Sequence, residues 1–331
     1  MAIHFDRIVL WHPTEKRAGD YFVDTGCGTG ESFSNMDCIF EPLSSTCGHE
    51  HVTAENSVIP WAWNPMPGFE FNSYEGPPVF VKLLKEAYPH VEFSLNGLRI
   101  WWRAQSIAYV TRLNRRTMNA LRDLRFNPKL HQGIIQDDKS RKDVPVPFPL
   151  PPGTVSMHVR HGDKHTEMRL IPFAEYVQKS ETFVNQNPLY FRKIMFVSTE
   201  DPSVITEARA IQRTITGTHL DFCLQSRSAQ LNPLILILDE GTPDNKWTVF
   251  TSNINRDNSS PFDQLARFGR QNTTYHWLLQ LVMALECDMW TGTRGSNWNR
   301  IIDELRCVWT EKCNQPFLEV GDKQSWVNYW W

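Results

Sequence analysis

A chain of 331 residues has room for roughly two domains of about 150 each, and its 41% hydrophobic residues suffice for buried cores. A formal charge of −3, a pI near 6.4 and no basic run longer than a pair exclude the electrostatic footprint of a nucleic-acid-binding protein. No apolar run reaches the roughly 18 residues of a membrane span, and the opening Met1-Ala2-Ile3-His4-Phe5-Asp6-Arg7 lacks a signal peptide's basic and apolar regions, so neither anchor nor leader is legible.

The first third is rich in turns. Pro60, Pro65, Pro67, Pro77 and Pro78 interrupt any long element, and Cys27, Cys38 and Cys47 fall in loop-like sequence. The 13 tryptophans suit either sugar stacking or ordinary cores, and Trp61-Ala62-Trp63 reads equally as an aromatic stacking platform, which the resemblance given below would make an acceptor platform, or as a loop tucked on the core. From about Leu98 to Leu124, Trp101, Ala104, Ala108, Val110, Leu113, Leu121 and Leu124 recur near helical spacing, which predicts one long helix ending at Asn127-Pro128. A charged patch from Gln136 to Asp143 and the Pro-rich Val144–Pro152 then read as an extended linker. The predicted organisation is one domain over 1–127, a linker over 128–153, and an α/β domain over 154–331, the first and last being those to which the resemblance given below assigns the acceptor and the nucleotide sugar.

After the linker, strand and helix patterns alternate, as in a parallel, doubly wound sheet flanked by helices. Three strand ends carry polar loops. In the first, Val155, Met157 and Val159 share one face and Ser156, His158 and Arg160 the other. This strand runs into His161-Gly162-Asp163-Lys164-His165-Thr166-Glu167, so Arg160 with Asp163, Lys164 and Glu167 forms a candidate phosphate and acid/base site at a carboxyl end. The second is Ile194–Ser198 running into Thr199-Glu200-Asp201-Pro202, with proline at a helix start. The third is Met289-Trp290-Thr291-Gly292-Thr293-Arg294-Gly295-Ser296-Asn297, a turn feeding a helix whose N–H groups suit an anion.

His158, His161, Asp163 and His165 resemble a metal-ligand set only superficially. Arg160 and Lys164 lie among them and oppose a cation, and no Asp-x-Asp triplet occurs, so no metal is expected and basic side chains would neutralise a leaving diphosphate. Seven cysteines form no Cys-x-x-Cys pair and leave one thiol over. Asn258-Ser259-Ser260 and Asn272-Thr273-Thr274 are glycosylation sequons should the chain enter a secretory lumen.

These pieces, taken in order, resemble the fucosyltransferases of glycosyltransferase family 23, which include the core α1,6-fucosyltransferase and the rhizobial nodulation enzyme. The likeness spans most of the chain: Ile39-Phe40-Glu41-Pro42-Leu43-Ser44-Ser45-Thr46-Cys47, Trp101-Trp102-Arg103-Ala104-Gln105, His158-Val159-Arg160 with Asp163-Lys164, Glu167, Glu175-Tyr176, Thr199–Ser203 and Gly292–Asn297. The resemblance implies two Rossmann-like domains in a GT-B-related arrangement. It also implies inverting, metal-free and cofactor-free transfer of L-fucose from GDP-β-L-fucose, and a Golgi setting. Arg160 would hold the β-phosphate, Lys164 the diphosphate or its acidic neighbour, and Glu167 would be general base. His158, His161, Asp163, Tyr176, Glu200, Asp201, Gln280, Ser296 and Asn297 would line the nucleotide pocket.

The departures from the family pattern carry expectations too. His161 replaces the second arginine of the family's pair, as in the nodulation branch; Gln280 stands where an aspartate contacts guanine; Asn297 stands where glutamine is usual. Gly26-Cys27-Gly28-Thr29-Gly30 mimics the family's early nucleotide loop in the wrong place. Met1 falls within the expected first helix, which suggests a shortened N-terminus, and the sequence after Asn297 leaves no room for the core enzyme's SH3-like domain. The acceptor is expected to be a glycan or glycoprotein carrying GlcNAc, with a chito-oligosaccharide or a protein hydroxyl as alternatives, and a homodimer is possible. A non-catalytic glycan- or nucleotide-binding relative is the competing reading.

Overall fold

The computed structural model describes residues 35–44, 51, 53, 78–92, 95–126, 146–166, 168–211, 246–252 and 254–321. Its centre is a five-stranded parallel sheet of β1 (Val155–Val159), β2 (Ile194–Thr199), β3 (Thr248–Thr251), β4 (Met289–Gly292) and β5 (Phe317–Glu319), in spatial order β3-β2-β1-β4-β5. The chain therefore builds outward from β1 in one direction, then returns to lay β4 on its other side. β1 and β4 flank the point where strand order reverses, and in such sheets ligands enter at the carboxyl ends beside that point.

The largely apolar character of these strands, with only small or hydrogen-bonded polar residues among them, goes with burial on both faces. Every residue of β1, β2, β3 and β4 is buried. Val155, Met157, Val159, Met195, Val197, Val249 and Met289 pack beneath α4 (Phe173–Gln186) and α5 (Pro202–Ala210), through Phe173, Tyr176, Val184, Val204, Ile205 and Ala208. On the opposite face, Ile194, Phe196, Phe250 and Trp290 meet α7 (Arg270–Glu286) and α8 (Asn297–Val308). The remaining described helices are α1 (Pro78–Ala87), α2 (Leu95–Val110), α3 (Arg115–Phe126) and α6 (Pro261–Phe268). Among the described residues no helix is long and apolar enough to cross a membrane.

The single helix expected from Leu98 to Leu124 is two, α2 and α3, broken at Thr111–Asn114. The break is chemical. Asn114 caps α3 by accepting from the Thr117 N–H at 2.8 Å and donates to the Asp37 carbonyl at 2.7 Å, while Leu113 bridges antiparallel to Phe40. Helices α2 and α3 join the same core as β2, β4, α7 and α8, through Ala108, Leu121 and Leu124. The described part of the expected linker is held down as well: Val146 and Leu150 are buried, and the Leu150 N–H donates to Glu286 at 2.9 Å.

Cysteine chemistry closes two places. A disulfide joins Cys307 at the end of α8 to Cys313, with Cα atoms 4.1 Å apart. Cys38 is also disulfide-bonded, and Cys287 is a free thiol that is fully buried.

Candidate functional site

The register of the sheet assembles the site. Strands β1 and β2 pair His158 with Ser198 and Val159 with Thr199, so the next residues of each strand emerge side by side. Arg160 forms an ion pair with Glu200, and the same carboxylate oxygen accepts the His161 N–H at 2.8 Å. One position along, His161 Nδ1 lies 2.7 Å from Asp201 Oδ2, and its Nε2 lies 3.0 Å from the Ile171 carbonyl oxygen. Both contacts are satisfied at once when each ring nitrogen carries a proton. His161 thus ties the exits of β1 and β2 to the chain entering α4, and its ring is occupied by the protein itself.

Asp201 also caps α5, accepting from the Ser203 N–H at 2.8 Å with Pro202 in the first turn. Burial acts to raise its pKa, but hydrogen bonds from His161 and Ser203 outweigh burial and hold the carboxyl below its ordinary value. Gly162 follows at φ +51°, and a Cβ there would lie 2.8 Å from Arg160 Nη1 and 3.1 Å from Glu200 Oε1. Only glycine lets the turn close over that ion pair.

His158 faces the α7 and α8 side. Its Nδ1 lies 3.0 Å from Ser198 Oγ, its ring centroid is 6.2 Å from that of Trp298, and its Nε2 has no hydrogen-bond partner. Burial above all, then the Arg160 charge, lowers its pKa to about 3, so the ring is neutral near pH 7. The sign of the pH effect follows. An unfolded histidine near pKa 6.5 takes up a proton that the folded one refuses, so stability is lost as pH falls from about 6.5 toward about 3. Denaturant midpoints at pH 7 and pH 4.5 should show this fall in the wild type and a flatter dependence in His158→Gln. Equal dependence in both would sink the assignment.

The other predicted residues divide by place. Lys164 is buried on the single turn of 3-10 helix Gly162–Thr166, which also carries Asp163. Glu167 lies outside the described residues. Tyr176 is fully buried on α4, its hydroxyl toward the Arg160 backbone; burial first, then the Glu200 charge, pushes its pKa up. Ser296 is the N-cap residue of α8, buried, with no side-chain capping bond, while the exposed Asn297 pairs with Arg300. Gln280 is buried on α7, and no described hydrogen bond joins it to the strand-exit cluster.

Three contributors escaped the sequence reading. Arg256 is a buried cross-link: its guanidinium donates to the carbonyls of Thr199 at 3.0 Å and Ser252 at 2.6 Å, tying β2 to β3. Burial above all, then Arg209, lowers its pKa to about 10. Asn258 accepts the Gly162 N–H at 2.8 Å, and Asn299 donates to the His158 carbonyl at 3.3 Å. The signal available for the first two was the polar run Arg256-Asp257-Asn258 after an apolar strand. Arg294, by contrast, turns away from the crevice toward Asp303 and Glu319 at 2.8 and 3.0 Å.

Chemically, a guanidinium held rigidly at the β1 exit and an α8 N-terminus without a side-chain cap together suit an anion, since first-turn N–H groups and the helix dipole both favour negative charge. A groove of about 510 Å³ lies elsewhere, between α4 and the β5 edge, lined by Glu175, Lys179, Phe183 and Gly321. Arg160, His161, Glu200 and Asp201 do not line it. Among the described residues, no group of three or more His, Cys, Asp or Glu side chains is arranged around a metal position. The chain matches no protein-family model and no curated protein.

Proposed function

We propose that the chain is an inverting glycosyltransferase that moves L-fucose from GDP-β-L-fucose to a GlcNAc-containing glycan, α1,6 on an N-glycan core, without metal or other cofactor. The observation that carries the reading is the adjacency of β1 and β4 at the reversal of strand order. It brings the Arg160 loop and the uncapped α8 N-terminus, two of the segments resembling the fucosyltransferases, to one crevice edge. In this reading the second half of a GT-B-like pair of Rossmann-like domains binds the nucleotide, the preceding residues face the acceptor, and the enzyme works in the Golgi lumen.

The step balances simply. The acceptor oxygen attacks the anomeric carbon from the face opposite the diphosphate, the carbon–oxygen bond to the β-phosphate breaks, and the acceptor proton passes to Glu167. Arg160 and the α8 N–H groups stabilise the charge gathering on GDP, with Lys164 beside them. His158 and Gln280 face the base, and Ser296 and Asn297 the phosphates. Arg160 leaves Glu200 for the phosphate or shares itself between them.

That last point favours a second reading. Because Arg160 and His161 are already paired within the protein, a non-catalytic nucleotide- or glycan-binding relative is the alternative. Calorimetric titration with GDP in EDTA tests the shared core of both. Wild type should bind, and Arg160→Ala should weaken binding about 10- to 100-fold, as loss of a charge-assisted contact worth roughly 1.5–3 kcal/mol requires. Glu167→Gln should bind as wild type does. Absence of wild-type binding, or indifference to Arg160→Ala, overturns the site. Fucose transfer to a GlcNAc acceptor then separates enzyme from binding protein.

A further inference from the structure

The two sequons stand in different structural settings. Asn258 belongs to the site: its N–H donates to the Glu200 carbonyl at 3.1 Å, its Oδ1 accepts from Gly162 at 2.8 Å, and its backbone is left-handed at φ 57°. The residue directly after its Ser259-Ser260 pair is Pro261, the first residue of α6. A proline there fixes φ and stiffens the chain where an oligosaccharide transferase must loop it.

Asn272 lies in the first turn of α7 on its exposed side, while Thr273, Thr274 and Tyr275 are buried. No described hydrogen bond holds its side chain. The Gly269 elbow before it opens to free space, for a Cβ there would meet nothing within 4 Å. The residue after its Thr273-Thr274 pair is Tyr275 and not proline. Disulfide-bonded Cys38 and the Cys307–Cys313 bridge belong to an oxidising compartment, and in eukaryotes that lumen is where asparagine is glycosylated.

We propose that, in the oxidising lumen implied by these disulfides, Asn272 carries an N-linked oligosaccharide and Asn258 does not. The donor class is a lipid-diphosphate-linked oligosaccharide. The Asn272 amide nitrogen bonds to the anomeric carbon of the sugar, the carbon–oxygen bond to the diphosphate breaks with its electron pair leaving on the lipid diphosphate, and the amide gives up one proton to the transferase's base. Thr274 is 1% exposed in the folded chain, so its hydroxyl is reached only before α7 packs, and transfer precedes folding. The glycan then stands at the elbow between α6 and α7, while Asn258 stays unmodified and free to hold Gly162. The modification is independent of donor-sugar specificity and is read by mass rather than activity.

The test expresses the full chain behind a cleavable secretion leader in eukaryotic cells and collects protein from lysate and medium together. Treatment with peptide-N-glycosidase in heavy-oxygen water converts each formerly glycosylated asparagine to a heavy aspartate, which a peptide map locates. Wild type should carry the tag at residue 272 alone; Asn272→Gln should lose the mass shift and Asn258→Gln should keep it. An unmodified Asn272, or a tag at residue 258, overturns the proposal. The wild-type map decides even if a variant folds poorly.

Discussion

Replacing Arg125 with alanine should lower stability by about 3–5 kcal/mol, the cost of leaving a buried charge without its partner. The Arg125 side chain is 4% exposed; its Nη2 donates to the Pro147 carbonyl at 2.6 Å and to Glu286 at 2.9 Å, and the same carboxylate oxygen accepts the Leu150 N–H. Burial is the largest influence on both partners, lowering the Arg125 pKa and raising that of Glu286 against their mutual attraction. Two guanidinium nitrogens and the other carboxylate oxygen also lack partners. The pair is therefore costly to bury and costlier to break. Denaturant unfolding should show the loss for Arg125→Ala, whereas the volume-conserving double variant Arg125→Met with Glu286→Leu should regain most of it. A loss below about 1 kcal/mol in the single variant would show that the clamp does not anchor the 146–150 segment to α3 and α7.

What the sequence made legible was local. Alternating or continuous apolar runs located β1, β2 and β4, and Asp201-Pro202 marked a helix start, because side-chain period and capping are properties of neighbouring residues. The strand order was not legible, since pairing is non-local. Arg160 meets Glu200 only because β1 and β2 lie in a register that sets His158 against Ser198. β5, only Phe317–Glu319, was too short to show a period. The break between α2 and α3 was missed although Asn114, three residues before Thr117, was a helix-start signal; the surrounding apolar spacing hid it. At the strand exits, the reading picked out segments that the sheet sets side by side, but not their internal pairing. Nothing local in His161 foretells that both its nitrogens are spent on Asp201 and Ile171.

Replacing Gly292 with alanine should cost about 2–4 kcal/mol, combining overpacking of about 1–3 kcal/mol with a lost hydrogen bond of about 1, and should weaken the GDP binding proposed above. Gly292 is the last residue of β4, and a Cβ there would come within 2.7 Å of Asn299 Cγ and closer still to its Oδ1. Asn299 cannot easily yield: it is 2% exposed on the first turn of α8, and its amide reaches across to the His158 carbonyl on β1. The missing side chain at residue 292 is thus what lets α8 seat against β4 while bridging to β1, which sets the height of the α8 N-terminus over the crevice. The coupling is directly measurable. If Asn299 is the clashing group, Gly292→Ala combined with Asn299→Ala will be less destabilised than the sum of the two single changes by more than about 1 kcal/mol. Additivity within about 0.5 kcal/mol would mean that the cost arises outside the Asn299 contact, and that the seating of α8 does not depend on it.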